Sequence, residues 1–239
     1  MVSYKQSHKT AYIGGRSFEI GTGFQSLPSD MKWACLARGV NYDNKGCQLE
    51  ILRNELLSIG ILAKSLEVLE TNYICRVLHI AEELVKQFRF SSVFNAGFVT
   101  LSLKSSTRRL LNRELGEAEA ERVLKRWKRL LKPLRRDLAL LLDHYEDSAL
   151  TNRYGKCVTN AVGQPFNITW KDLAARKRWK SDVMRRKLLS HMLQGLESRA
   201  VYDDVISHKG VCALEHDGFV SYEEVTDWSH PYLLIEKKH

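Results

Sequence analysis

At 239 residues, 44% apolar and 27% charged with four prolines, the chain can bury a sizeable core, which excludes a mostly disordered protein. Its longest uncharged stretches, such as Phe90 to Leu103, reach 14 residues and carry Ser, Thr and Asn, short of the roughly 20 apolar residues that cross a bilayer. The net charge of +9, from 37 basic and 28 acidic residues, makes the identity of a partner the leading question.

In chain order, Met1 to Lys9 lacks the apolar core of a secretory signal, so an intracellular location, cytoplasmic or nuclear, is expected. From Lys9 to Ile20 two short β-prone runs flank Gly14-Gly15, a pair that supplies the positive φ angles of a tight hairpin turn. Gly21-Thr22-Gly23 ends the run without the spacing of a phosphate-binding loop. From Gln48 the period changes. Leu49, Leu52, Leu56, Ile59, Ala63 and Leu66 recur at steps of three and four, which predicts one amphipathic helix weakened in its middle by Gly60. Thr71-Asn72 offers a break and a cap. Ile74, Leu78, Ala81, Val85 and Phe88 then predict a second helix, antiparallel to the first, with His79 at the edge of its core face. Phe90 to Leu103, aromatic, β-branched and Ser-rich, reads as a loop with a short strand. Ser105, Ser106 or Thr107 caps a short helix that ends at Leu115, before Gly116.

Glu117 to Tyr145 carries the longest helical signal. Leu124, Trp127, Leu131, Leu134, Leu138, Leu141 and Tyr145 form an apolar seam with a heptad period. Glu117, Glu119 and Glu121 suit the positive end of the helix dipole, and Pro133 predicts a kink or break near Lys132. The seam is expected to be buried against the chain's own first helices. The alternative is a homo-oligomer through Leu124–Tyr145. Trp127 is expected in the core, the alternative being a base-stacking platform.

Residues 146 to 167 are rich in polar and turn-forming types and mark a boundary between lobes. Beyond it, Thr169 caps a short helix through Ala174, and a basic turn follows. Ser181 or Asp182 caps a longer helix with Met184, Leu188, Met192 and Leu196 on one face. β-prone runs at Ala200–Tyr202, Gly210–Leu214 and Phe219–Tyr222 come next, with a turn at Asp217-Gly218. Short helix, basic turn, longer basic helix and hairpin is the order of a winged helix. Arg186-Lys187-Leu188-Leu189-Ser190-His191-Met192-Leu193 and Asp217-Gly218-Phe219-Val220 resemble the winged-helix RNA lobe of the RNA 2′-phosphotransferase family. The Arg-His pair of that family falls on Gln194 and Gly195 here, so the resemblance implies the lobe and not the activity. The expected organisation is therefore mainly α within the α+β class: an N-terminal hairpin segment (1–47), a helical lobe with antiparallel helices (48–150) and a winged-helix-like basic lobe (151–239).

The charge is concentrated. Lys104 to Arg136 carries 12 basic and 4 acidic residues, and Lys171 to Lys187 carries 8 and 2, leaving the remainder of the chain net acidic. Arginine dominates, and its planar fork suits bidentate phosphate contact. These segments predict a non-enzymatic protein that binds DNA or RNA, as a regulator, a replication factor or a viral genome-associated protein. In the first segment the candidate contacts are Arg108, Arg109, Arg126, Arg129, Arg135 and Arg136. In the second they are Arg176, Lys177, Arg178, Lys180, Arg185 and Arg186. A matrix-like or scaffold protein that binds anionic membrane and itself is the competing class, with membrane the lesser expectation. Arg186 and His191 also form an R-x4-H spacing that resembles HEPN-type ribonucleases, which gives an enzymatic alternative. No cofactor is expected. His208, Cys212 and His216 fall on a β-prone run that spaces them too far apart for one ion, and the five scattered cysteines read as reduced thiols.

Overall fold

The computed structural model describes residues 6–10, 17–21, 23–36, 38–45, 47–153, 155–169, 181–214, 218–230 and 234–237. They form a mainly α structure of the α+β class. It divides into two compact units, Glu55–Lys156 with Ile168–Leu189, and Met1–Asn54 with Cys157–Asn167 and Ser190–His239. No described helix is long and apolar enough to cross a membrane.

The mixed unit opens with a hairpin of β1 (His8–Thr10) and β2 (Ser17–Glu19), in which Lys9 faces Phe18. The Gly14-Gly15 turn lies outside the described residues. After α1 (Ser29–Cys35), β3 (Val40–Lys45) enters a four-stranded sheet with β7 (Val211–Leu214), β8 (Gly218–Ser221) and β9 (Leu234–Lys237), in the order β7-β8-β3-β9. β3 is antiparallel to both neighbours, with Tyr42 opposite Phe219 on one side and Lys237 on the other. The N-terminal segment is therefore not a separate piece. It supplies an inner strand to a sheet whose other strands lie more than 160 residues away. Gly218 allows this pairing, since a Cβ there would lie 2.2 Å from the Tyr42 carbonyl oxygen. Tyr42 and Phe219 stack at 5.0 Å, and the Tyr42 hydroxyl accepts the Val225 N–H at 2.9 Å.

The helical unit follows the predicted periodicity but breaks more often. α2 (Cys47–Ser58) stops where one longer helix was expected, because Gly60 and Ala63 take positive φ angles of 80° and 54°. A 3-10 turn over Lys64–Leu69 then leads to α3 (Thr71–Leu78). The second predicted helix is likewise two. His79, at φ 57°, closes α3 in the left-handed region and caps it through its N–H to the Cys75 carbonyl at 2.9 Å. α4 (Glu82–Phe94) extends into the stretch read as a loop, and residues 95–105 contain no strand. α5 (Ser106–Leu115), Gly116 at φ 80° and α6 (Glu117–Leu130) match the expected order. The break near Lys132 is present: α7 (Lys132–Asp147) starts there, with Pro133 in the first turn, where a missing N–H is tolerated.

The seven seam residues from Leu124 to Tyr145 are all buried. Phe88 of α4 meets Trp127 edge-on at 5.8 Å, and the Tyr145 hydroxyl donates to Glu55 at 2.5 Å. Each buried leucine contributes about 1.5–3 kcal/mol of transfer free energy, so the chain's own packing uses the seam. In the single chain the seam from Leu124 to Tyr145 is covered by the chain's own residues.

Three strands follow, β4 (Leu150–Asn152), β5 (Gly155–Thr159) and β6 (Pro165–Asn167), in the sheet order β4-β5-β6. α8 (Ser181–Arg199) is the longer C-terminal helix, and it ends in a π-helical turn over Ala200–Val205, where a β-prone run was expected. The short helix from Thr169 and the basic turn after it lie outside the described residues, apart from Thr169 itself.

Candidate functional site

The predicted contact residues fall into distinct environments. On α6 and α7 the apolar seam faces inward. Arg129, Arg135 and Arg136 are exposed, as are Lys125, Lys128 and Lys132, while Arg126 is half-buried. The split follows from period: 3.6 residues per turn places Trp127, Leu131 and Leu134 on one side, and the cations between them on the other. Among the described residues, Arg126, Lys128, Arg129, Lys132 and Arg136 make no ion pair, whereas Lys125 meets Glu121 at 2.6 Å and Arg122 binds Glu119. Arg109 is exposed on α5.

Arg108 departs from the expectation. It is 2% exposed, donates to the Glu117 carbonyl at 3.3 Å and lies 3.9 and 3.7 Å from the Glu117 and Glu121 carboxylates. Its neighbour Arg109 is exposed, while Arg108 joins the α5–α6 packing. Arg185 is also engaged, with Nε donating to Glu146 at 2.7 Å and a second contact to Asp143. Arg176, Lys177, Arg178 and Lys180 lie outside the described residues.

Arg135 and Arg186 converge on one ring. The Arg135 guanidinium lies 3.8 Å from the Phe98 centroid and that of Arg186 lies 5.7 Å away, while Arg186 also donates to Asn95 Oδ1 at 3.3 Å. Gly97, at φ 73°, brings the chain against α7, since a Cβ there would lie 2.9 Å from the Arg135 Cα. Beside Phe98 opens a cleft of about 700 Å³, framed by the end of α4, the 98–105 segment, the start of α5, and Trp127 and Lys128 of α6, with Arg186 at its edge. Sequence reasoning missed this cleft. Its one sequence signal is the Ser- and Thr-rich run beside Gly97; the approach of Arg135 to Phe98 depends on a tertiary contact.

His191 is fully buried, and its Nε2 lies 3.0 Å from the Gln164 carbonyl oxygen. Burial holds its imidazole below the ordinary histidine range, and the Gln164 carbonyl opposes this more weakly. The imidazole is thus enclosed in the core and bonded to a backbone carbonyl. Cys212 lies on β7 and bonds the Val220 carbonyl at 3.3 Å; burial raises its thiol above the ordinary value. His216 lies outside the described residues. No metal-ligating cluster occurs among the described ones, and none of the five cysteines forms a disulfide there.

Compared with protein-family models and with curated proteins, the chain matches none.

Proposed function

We propose that the protein binds DNA or RNA without catalysing its cleavage, using the exposed cations of α5, α6 and α7 to contact phosphates. The observation that carries this reading is the division of α6 and α7. Their apolar side is filled from within, and their other side presents Arg126, Lys128, Arg129, Lys132 and Arg136, which have no carboxylate partner among the described residues, beside the paired Arg122 and Lys125. Ordering each exposed side chain on a phosphate costs about 0.5–1.5 kcal/mol, but the planar guanidinium fork loses less per hydrogen bond formed than an ammonium does. The order of α8 and the β7–β8 hairpin supports a winged-helix-like lobe, in which a helix enters a groove and the hairpin touches the backbone. β8 also pairs with β3, which makes the hairpin part of a larger sheet than a simple wing.

Gel-shift titration beside liposome flotation tests the reading. The expected result is a shift of DNA or RNA at low salt with no flotation on anionic vesicles. Flotation without a nucleic-acid shift would overturn it in favour of a membrane-binding scaffold.

A further inference from the structure

Along α6 and α7 the exposed cations form one row. The Leu131 N–H donates to the Trp127 carbonyl at 3.1 Å and the Arg135 N–H to the Leu131 carbonyl at 2.8 Å, so the helical turn carries through the break between the two helices. At about 100° per residue, Arg129, Lys132 and Arg136 then fall within a sector about 60° wide, with Arg126 and Lys128 on its two flanks. Trp127, Leu131 and Leu134 occupy the opposite, buried side, which fixes the phase. From Arg126 to Arg136 a rise of about 1.5 Å per residue makes the row about 15 Å long. Carboxylates bound it at both ends. Glu119 and Glu121 hold Arg122 and Lys125 just before it, while Asp143, paired with Arg185, and Asp147 are exposed just after it. Between Glu121 and Asp143 the only acidic residue of the two helices is Asp137, and its carboxylate accepts from the Ser65 hydroxyl.

We propose that this row binds a single strand of nucleic acid along its sugar–phosphate backbone, over a site of about five or six nucleotides. The proposal rests on the nucleic-acid reading above and adds which form is bound and how much of it. A stacked strand advances about 3.4 Å per phosphate, so a row about 15 Å long faces about four or five phosphates. A duplex completes a turn in about 34–36 Å, so each of its strands winds through nearly half a turn over the length of the row and leaves it after about two or three contacts. A flexible single strand can bend to stay on it. A strand that runs past either end meets carboxylates, and repulsion between like charges turns it away, which limits the site.

The test titrates the full chain, and its Arg129→Gln, Lys132→Gln, Arg136→Gln triple variant, with oligothymidylates of increasing length and with the longest of them paired into a duplex, at one ionic strength. Single-strand affinity is expected to rise with each added nucleotide up to about five or six and then to stay within about twofold. The triple variant is expected to lose about tenfold more affinity for the single strand than for the duplex, the size of one charge-assisted contact. Leu140 is 46% exposed and lies on the same face one turn beyond Arg136. Leu140→Lys therefore lengthens the row by about 6 Å and is expected to move the plateau up by about one or two nucleotides, an arm that holds if the triple variant fails to fold. A triple variant that loses as much affinity for the duplex as for the strand, or a plateau that a folded Leu140→Lys variant leaves in place, overturns the single-strand assignment while the nucleic-acid reading stands. Binding to neither strand nor duplex overturns both.

Discussion

The indole N–H of Trp127 donates to Ser92 Oγ at 2.9 Å, joining α6 to α4 by a hydrogen bond buried at both ends. The same ring packs edge-on against Phe88 at 5.8 Å. A tryptophan inside a core needs a partner for its nitrogen, and Ser92, one turn beyond Phe88 on α4, supplies it. This settles the two roles considered for Trp127: its ring packs in the core and is not an exposed stacking platform.

The bond is testable by a double-mutant cycle. Ser92→Ala leaves a buried indole N–H unpaired and is expected to cost about 1–3 kcal/mol. Trp127→Phe removes ring volume as well as the donor, with an expected loss of about 1–3 kcal/mol. The two changes remove one shared interaction, so the double variant is expected to lose less than their sum in urea denaturation. Strictly additive losses would show that the bond contributes no coupling.

Salt dependence reports the phosphate contacts. Each contact lowers log K per unit of log salt by about 0.9 on duplex and about 0.7 on single strands, so six contacts give a slope of roughly −4 to −5. Reversing Arg126, Arg129 and Arg136 to Glu is expected to weaken binding across all sequences while the circular dichroism spectrum stays unchanged, because these side chains lie off the buried seam. A slope near zero, or normal binding by the folded triple variant, would assign the charge to another purpose.

Arg108 separates packing from binding within the same basic segment. Its Nε and Nη1 are buried with no hydrogen-bond acceptor among the described residues, and its carboxylate contacts are long. Desolvating a guanidinium for such partners gains little, so Arg108→Met is expected to keep the fold with its melting temperature unchanged or raised. Nucleic-acid affinity is expected to stay within about twofold, the change of a group that contacts no phosphate. A drop in affinity with an intact fold would return Arg108 to the interface.

His191 predicts a pH dependence of stability. Burial lowers its pKa in the folded state below that of the unfolded chain. Between those two values the unfolded state binds more protons, so stability rises with pH across that window. The contribution is full above the unfolded value of about 6.5 and is lost as pH falls toward the folded value. Urea midpoints measured from pH 7.5 to 5 are expected to fall on acidification, and His191→Gln is expected to flatten that trend. An equal fall in the variant would place the titrating group elsewhere.

Local patterns were legible in the sequence alone. The seam from Leu124 to Tyr145, the cations between its members and the break before Pro133 all follow from helical period and proline chemistry, and the structure carries each of them. The hairpin of β1 and β2 and the helix from Ser106 were legible for the same reason: their signals lie within a few residues of one another. Two kinds of feature needed the tertiary structure. One is where a helix ends without a strong signal. Ala63 and His79 adopt left-handed angles that neither residue type announces, because surrounding packing sets them. The other is what distant segments do together. The pairing of β3 with β8 and β9, the burial of Arg108 beside exposed Arg109, and the approach of Arg135 to Phe98 join residues that no periodic pattern links. Period tells which side chains share a face; which neighbour covers that face depends on packing between segments remote in the chain.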